Sequence, residues 1–290
     1  VAARISPAIS GLLAFAATIA AGWLLLGPRG HPQVAAAGPE TGLAQACPAG
    51  SRTGKPDYHE LQTSNQLTIA VRTPSDYNAT RAYPLLIVFP PAGYDRNSSE
   101  KFYALTPGAT RRGFVIAYPD HRRLSPAATS DQAKVAATVA DFYCINEAAI
   151  AYLGHSDGGS MAEAIPAYIP DAPVPQAIVA SGAGISGDDL ATMACPSIAS
   201  VMIIHSRNDE RFPGFGRTAA AFWGRCAACK PAELSAPQDG CRELAGCASG
   251  RRVLYCETSQ PHKSWPQMNE AVLDFIQGSA AKRQASQASP

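Results

Sequence analysis

From residue 66 onward, short runs of β-branched and aliphatic residues alternate with longer alanine-rich stretches, and this alternation constrains the fold more than any other feature of the chain. Short, uniformly apolar runs suit strands covered on both faces, and the stretches between them are long enough for crossover helices. The pattern therefore predicts a mostly parallel sheet with helices on both sides. The expected strands are Gln66 to Val71, Leu85 to Phe89, Phe114 to Tyr118, Ala149 to Leu153, Gln176 to Ala180, Val201 to His205 and Arg252 to Cys256. Helices are expected over Ser99 to Arg112, Asp131 to Tyr143, Ser156 to Tyr168, Thr218 to Cys226 and Gln267 to Gln277. With 290 residues, 46% of them hydrophobic, the chain can bury one sizeable α/β domain, expected over 60–278.

Residues outside that span read differently. Between Arg4 and Arg29 there is no charged side chain, and residues 8–26 are almost wholly apolar, as an export signal or a membrane anchor requires. The Ala35-Ala36-Ala37 step matches a cleavage pattern, so residues 1–37 are expected to be a signal peptide or, if uncleaved, a membrane tether. Residues 38–59 read as a Pro-, Gly- and Ala-rich linker, and 279–290 as a disordered tail. Both leader readings place the domain outside the cytoplasm, secreted or in the cell envelope. The eight cysteines all follow the apolar segment, which favours disulfides over the rival of a zinc site at Cys226, Cys229, Cys241 and Cys247. A net charge of +1, with no basic stripe, argues against nucleic acid as a partner. No motif calls for a metal or an organic cofactor, and the domain is expected to act as a monomer.

The decisive stretch is AIAYLGHSDGGSMAEAI, in which a strand-like run meets Gly154-His155-Ser156-Asp157-Gly158 and passes directly into a helix-like run. A serine on a sharp strand-to-helix turn is held clear of the sheet, and glycines two before and two after it let neighbouring backbone approach. The following helix aims its first amides at the reaction centre, so the Asp157 N–H is a candidate oxyanion donor. The motif alone is weak evidence; its position between a strand and a helix strengthens it.

Such a serine needs a histidine to take its proton and a carboxylate to hold the histidine, in the chain order Ser, acid, His for this elbow. Asp209 follows the strand ending at His205, and His262 follows the strand ending at Cys256, so both are expected at the carboxyl edge of the sheet. His31, His59 and His121 precede the serine and are set aside by chain order, and His205 reads as structural. The second oxyanion donor is expected in Pro90-Pro91-Ala92-Gly93-Tyr94. The prolines have no N–H, leaving Ala92 ahead of Gly93. His155, inside the elbow, reads first as structural. With Tyr94 and Trp265, expected as aromatic walls, it completes the set of side chains around the substrate.

The succession VFPPAGYD, AYPD, GHSDGGSMA, HSRNDERFP and PHKSWP resembles, over roughly residues 60 to 277, the secreted esterases grouped with polyhydroxybutyrate depolymerases, feruloyl esterases and acetylxylan esterases. The resemblance implies an α/β-hydrolase fold, a Ser156–His262–Asp209 triad, and a cysteine-rich region before the histidine. It also implies an ester or polyester substrate: feruloyl or acetyl groups, or hydroxybutyrate-type polyesters. Two positions depart from it. Pro90-Pro91 stands where the family usually has His-Gly, and Asp157 where it more often has Asn or Met. A carboxylate at 157 would repel anionic substrates and raise the pKa of His262 if it lay within about 6 Å. Only the stretch from Ser181 to Ser200 separates two of the strands, too short for a large cap domain. Alternatives from the sequence are an acyltransferase or peptidase on the same triad, or a catalytically inactive exported binding protein.

Overall fold

The computed structural model describes residues 46–231 and 240–287, with side chains through residue 279. The leader expected in 1–37 and the first part of the linker lie outside the described residues. Strands β1 (Tyr58–Gln62), β2 (Thr68–Arg72), β3 (Tyr83–Phe89), β4 (Val115–Pro119), β5 (Ile145–His155), β6 (Ala177–Ser181), β7 (Ser200–Ser206), β8 (Cys241–Glu243) and β9 (Arg252–Thr258) form one sheet in the order β1-β2-β4-β3-β5-β6-β7-β9-β8. The run from β4 to β9 is parallel; β1 and β2 at one edge and β8 at the other are antiparallel. Strand order reverses between β3 and β5, so the loops after these two strands meet at one point of the carboxyl edge.

The central strands are buried on both faces because both carry helices. Leu85, Ile87 and Phe89 of β3 face one apolar layer, which includes Val139, Ile165 and Trp223. Leu86 and Val88 face the other, built with Tyr103, Leu105, Leu273 and Ile276. The first layer is supplied by α3 (Pro126–Ala133), α4 (Val135–Phe142), α5 (Asp157–Tyr168) and α7 (Phe215–Cys226). The second is supplied by α1 (Arg96–Tyr103), α2 (Thr106–Arg111) and α8 (Asn269–Gln287). Between β6 and β7 there is only the four-residue α6 (Gly187–Leu190), so this connection supplies no large cap.

Three expectations need correction. Where the 38–59 stretch is described, it is fastened to the domain. Cys47 is disulfide-bonded to Cys144, the Gly54 N–H donates to the Phe142 carbonyl at 2.8 Å, and the Tyr143 hydroxyl donates to the Lys55 carbonyl at 2.8 Å. The stretch then enters β1 at Tyr58. The tail expected from 279 is helical through Gln287, and the Ser279 hydroxyl, itself buried, donates to the Phe275 carbonyl one turn back. The single helix expected over 99–112 is two, because Ala104 takes a left-handed φ of 51° and a new helix starts at Thr106 with Pro107 in its first turn.

All eight cysteines pair: Cys47–Cys144, Cys195–Cys226, Cys229–Cys247 and Cys241–Cys256. The four thiols of the zinc alternative are thus spread over three disulfides, and a disulfide sulfur is not the thiolate that zinc requires.

Candidate active site

Ser156 sits between the end of β5 and the start of α5 with φ 55° and ψ −120°, a left-side backbone conformation costly for any residue but glycine. The surrounding glycines make the turn feasible. A Cβ on Gly154 would lie 2.1 Å from the backbone of Gly158, and one on Gly158 would lie 2.1 Å from the Phe89 carbonyl oxygen. β5, α5 and the end of β3 are therefore packed backbone against backbone, and the elbow is held rigidly by the sheet. The Ser156 N–H donates to the Ser181 carbonyl on β6, fixing the turn from the other side.

Ser156 Oγ lies 2.9 Å from His262 Nε2, and His262 Nδ1 lies 2.8 Å from Asp209 Oδ2. The other carboxylate oxygen, Oδ1, accepts from the backbone N–H groups of Arg211 and Phe212, at 2.9 and 3.0 Å. Burial pushes the Asp209 carboxyl up, but the His262 bond, the Phe212 amide and the two nearby imidazoles outweigh it, leaving its pKa below the ordinary carboxylate value. An ionised, anchored Asp209 keeps the proton of His262 on Nδ1 and leaves Nε2 free to accept from the serine.

Ala92 lines the same pocket as Ser156, whereas Gly93, with φ 81°, has nothing within 4 Å of where a side chain would start. Asp157 is the first residue of α5, so its N–H has no acceptor within the helix. The Asp157 carboxylate bonds to His121 Nε2 at 3.0 Å, a contact the sequence reading missed because chain order had set His121 aside. The pocket, about 160 Å³ in volume, is walled by Tyr94, Phe102 and the edges of His155 and His262. Tyr94 lines this pocket, its ring 5.1 Å from that of Phe102.

Trp265 is not a wall. It is only 5% exposed, its ring meets Tyr103 edge-on at 4.9 Å, and its indole N–H donates to Asn269 Oδ1, which spends its polar edge inside the protein. His155 does reach the pocket, but both its ring nitrogens are taken: Nδ1 lies 3.0 Å from Ser181 Oγ, and Nε2 lies 2.6 Å from the His262 carbonyl. Burial lowers its pKa to about 4, partly offset by the His262 carbonyl, so it is a neutral ring that donates to His262 through Nε2–H. His205, as expected of a structural residue, is buried and donates to the Phe212 carbonyl at 2.9 Å.

Two further residues escaped the sequence reading. The buried Tyr103 hydroxyl donates to the Phe89 carbonyl and accepts from the His155 N–H, both at 2.8 Å, so it clamps the loop after β3 to the elbow. The Phe212 ring meets His262 edge-on at 5.3 Å while its backbone serves Asp209 and His205. Neither could be found from a motif, since each acts through one hydroxyl or through main-chain atoms.

In structure the chain is similar to an acetyl xylan esterase from Aspergillus awamori, with a TM-score of 0.60 and 11% identity over 76% of this chain and 99% of the other. The fold is that of the α/β-hydrolases. A thermophilic esterase from Thermogutta terrifontis gives a TM-score of 0.53 at 13% identity over 80% of this chain and 95% of that one. An esterase from the archaeon Pyrobaculum calidifontis gives 0.55 at 14% over 82% and 88%. No family profile and no curated protein matches the sequence. On this α/β-hydrolase scaffold the strand order, the elbow after β5 and the loops after β7 and β9 all meet at one edge of the sheet.

Proposed function

We propose that the chain is a serine carboxylic ester hydrolase acting outside the cytoplasm. The observation that carries this reading is the continuous hydrogen-bonded line from Ser156 Oγ through His262 to Asp209 Oδ2, set on a strained elbow. In the first half-reaction His262 Nε2 takes the serine proton and Oγ bonds to the ester carbonyl carbon. The Ala92 and Asp157 N–H groups receive the developing oxyanion, and one such donor is typically worth about 3–4 kcal/mol in the transition state. The protonated His262, stabilised by Asp209, then gives its proton to the departing alcohol oxygen. Water repeats the cycle on the acyl-enzyme, releasing the acid and restoring Ser156.

A pocket of about 160 Å³ around the nucleophile is smaller than the roughly 300–1,000 Å³ usual for drug-sized ligands, which favours short acyl groups over a feruloyl group. Tyr94 and Phe102 supply its apolar wall. Four disulfides support an oxidising compartment. The test is a hydrolysis panel of p-nitrophenyl acetate, p-nitrophenyl butyrate, methyl ferulate, acetylated xylan and a hydroxybutyrate oligomer, each beside Ser156→Ala. Turnover of the short-chain esters that disappears in the variant supports the reading; a folded protein inert on every ester refutes it.

A further inference from the structure

Two cations flank the nucleophile, and the catalytic cycle uses neither. Arg211 and Lys263 both line the pocket that holds Ser156, and both also line the adjoining cleft of about 620 Å³ that runs on from His262 past Asn208 and Ser259. Each stands on a loop that delivers a triad member: Arg211 two residues after Asp209, and Lys263 next to His262. Among the described residues neither makes an ion pair, whereas Arg72, Arg96, Arg112 and Arg252 elsewhere in the domain are matched to carboxylates. Asp157, the acid closest to the serine in sequence, turns its carboxylate to His121 and is not part of the pocket lining. Glu210 lines the outer cleft but not the pocket, so among the described residues the pocket lining itself carries no carboxylate and the two cations stand beside the nucleophile, with one acid against two bases in the outer cleft.

The side of the ester they face follows from the proton route. His262 Nε2 must reach the oxygen that departs, so the alcohol half of the substrate lies on the His262 side, where the cleft between Arg211 and Lys263 continues. We propose that Arg211 and Lys263 select esters whose alcohol half carries a carboxylate, so that the released alcohol is a hydroxycarboxylate. The proposal rests on the esterase reading above. In its acyl-transfer step the Oγ–acyl bond forms and the acyl–oxygen bond to the hydroxycarboxylate breaks. The proton from His262 goes to that oxygen, and the two cations hold the carboxylate throughout. Both side chains are exposed, so the contact is open to screening by salt, and a planar guanidinium can take a carboxylate with two parallel bonds.

The test compares O-acetyl lactate with O-acetyl lactamide, two acetyl esters that differ in the charge of the alcohol half, by titrating the acetate released. The expected ratio of kcat/KM, acid over amide, is tenfold or more in the wild type at low salt. It should fall at least fivefold in Arg211→Gln, fall similarly in Lys263→Gln, and invert in Arg211→Glu. It should also shrink as salt rises from 0.05 to 0.5 M, as screening of an ionic contact requires. A ratio unchanged within twofold in all three variants, or a wild type that prefers the amide, overturns the proposal while leaving the esterase reading intact. Loss of all hydrolysis in Ser156→Ala keeps the esterase reading; a wild type that turns over p-nitrophenyl acetate but neither lactate ester overturns the proposal alone, and a folded wild type inert on all of them overturns both.

Discussion

Glu163 ties the elbow helix to the rest of the domain in a way that should make stability fall at alkaline pH. It is fully buried on α5, and its Oε1 accepts from the Trp223 indole N–H on α7 at 2.7 Å, while Oε2 has no partner among the described residues. Burial pushes its pKa from 4.5 up to about 8, the Trp223 bond opposing only in part. Between those values the folded chain holds a proton that the unfolded chain has released, so stability decreases as pH rises. The contribution is fully present below about pH 4.5 and is lost by about pH 8. A shift of this size corresponds to about 5 kcal/mol, or about 1.4 kcal/mol per pH unit. His155 works in the opposite sense: its pKa is lowered to about 4, so its contribution is lost as pH falls below the ordinary histidine value. Comparing the wild type with Glu163→Gln cancels that effect, because His155 is common to both. Urea unfolding of the two proteins at pH 5, 6.5 and 8 should show the variant gaining on the wild type by several kcal/mol across the series. A difference that stays constant within about 1 kcal/mol would mean that Glu163 is ionised in the fold and that its environment has been misread.

Replacing Cys47 and Cys144 together by serine opens a loop of 97 residues, and thermal unfolding should show a loss of about 4–5 kcal/mol, with the other three bridges intact by mass mapping. Ser156→Gly removes the cost of a side chain at φ 55°, so it should raise unfolding free energy by about 1 kcal/mol in denaturant titration while abolishing ester turnover. Asp209→Asn keeps the shape but puts an amide where His262 needs an acceptor, so steady-state kinetics should show kcat reduced about 10³- to 10⁴-fold with KM little changed.

The strand cores were legible because a strand covered on both faces must be a short apolar run, and β3, β4, β6 and β7 are buried throughout or nearly so. β1 gave no such signal: of Tyr58–Gln62 only Leu61 is buried, as suits an edge strand. β8 is three exposed residues paired to β9, one of them bridged to it by Cys241–Cys256, and only its partner makes it a strand. Within the site, Ser156, Asp209 and His262 could be found because chain order and loop position restrict the choices, and the structure brings these three together. The Trp265 error came from treating nearness to His262 in sequence as nearness to substrate, when Asn269 one turn further on takes the indole N–H and draws the ring into the core. The His155, Tyr103 and Phe212 contacts run partly through main-chain carbonyl and amide groups, which residue type does not encode.

The central claim is that Ser156 is a nucleophile made reactive by His262. Its most direct test is covalent: treatment with a small fluorophosphonate, followed by intact mass and peptide mapping. The account predicts one adduct per chain, on Ser156, absent in Ser156→Ala and formed orders of magnitude more slowly in His262→Ala. An adduct on another residue, or none on a folded protein that hydrolyses esters, would contradict it.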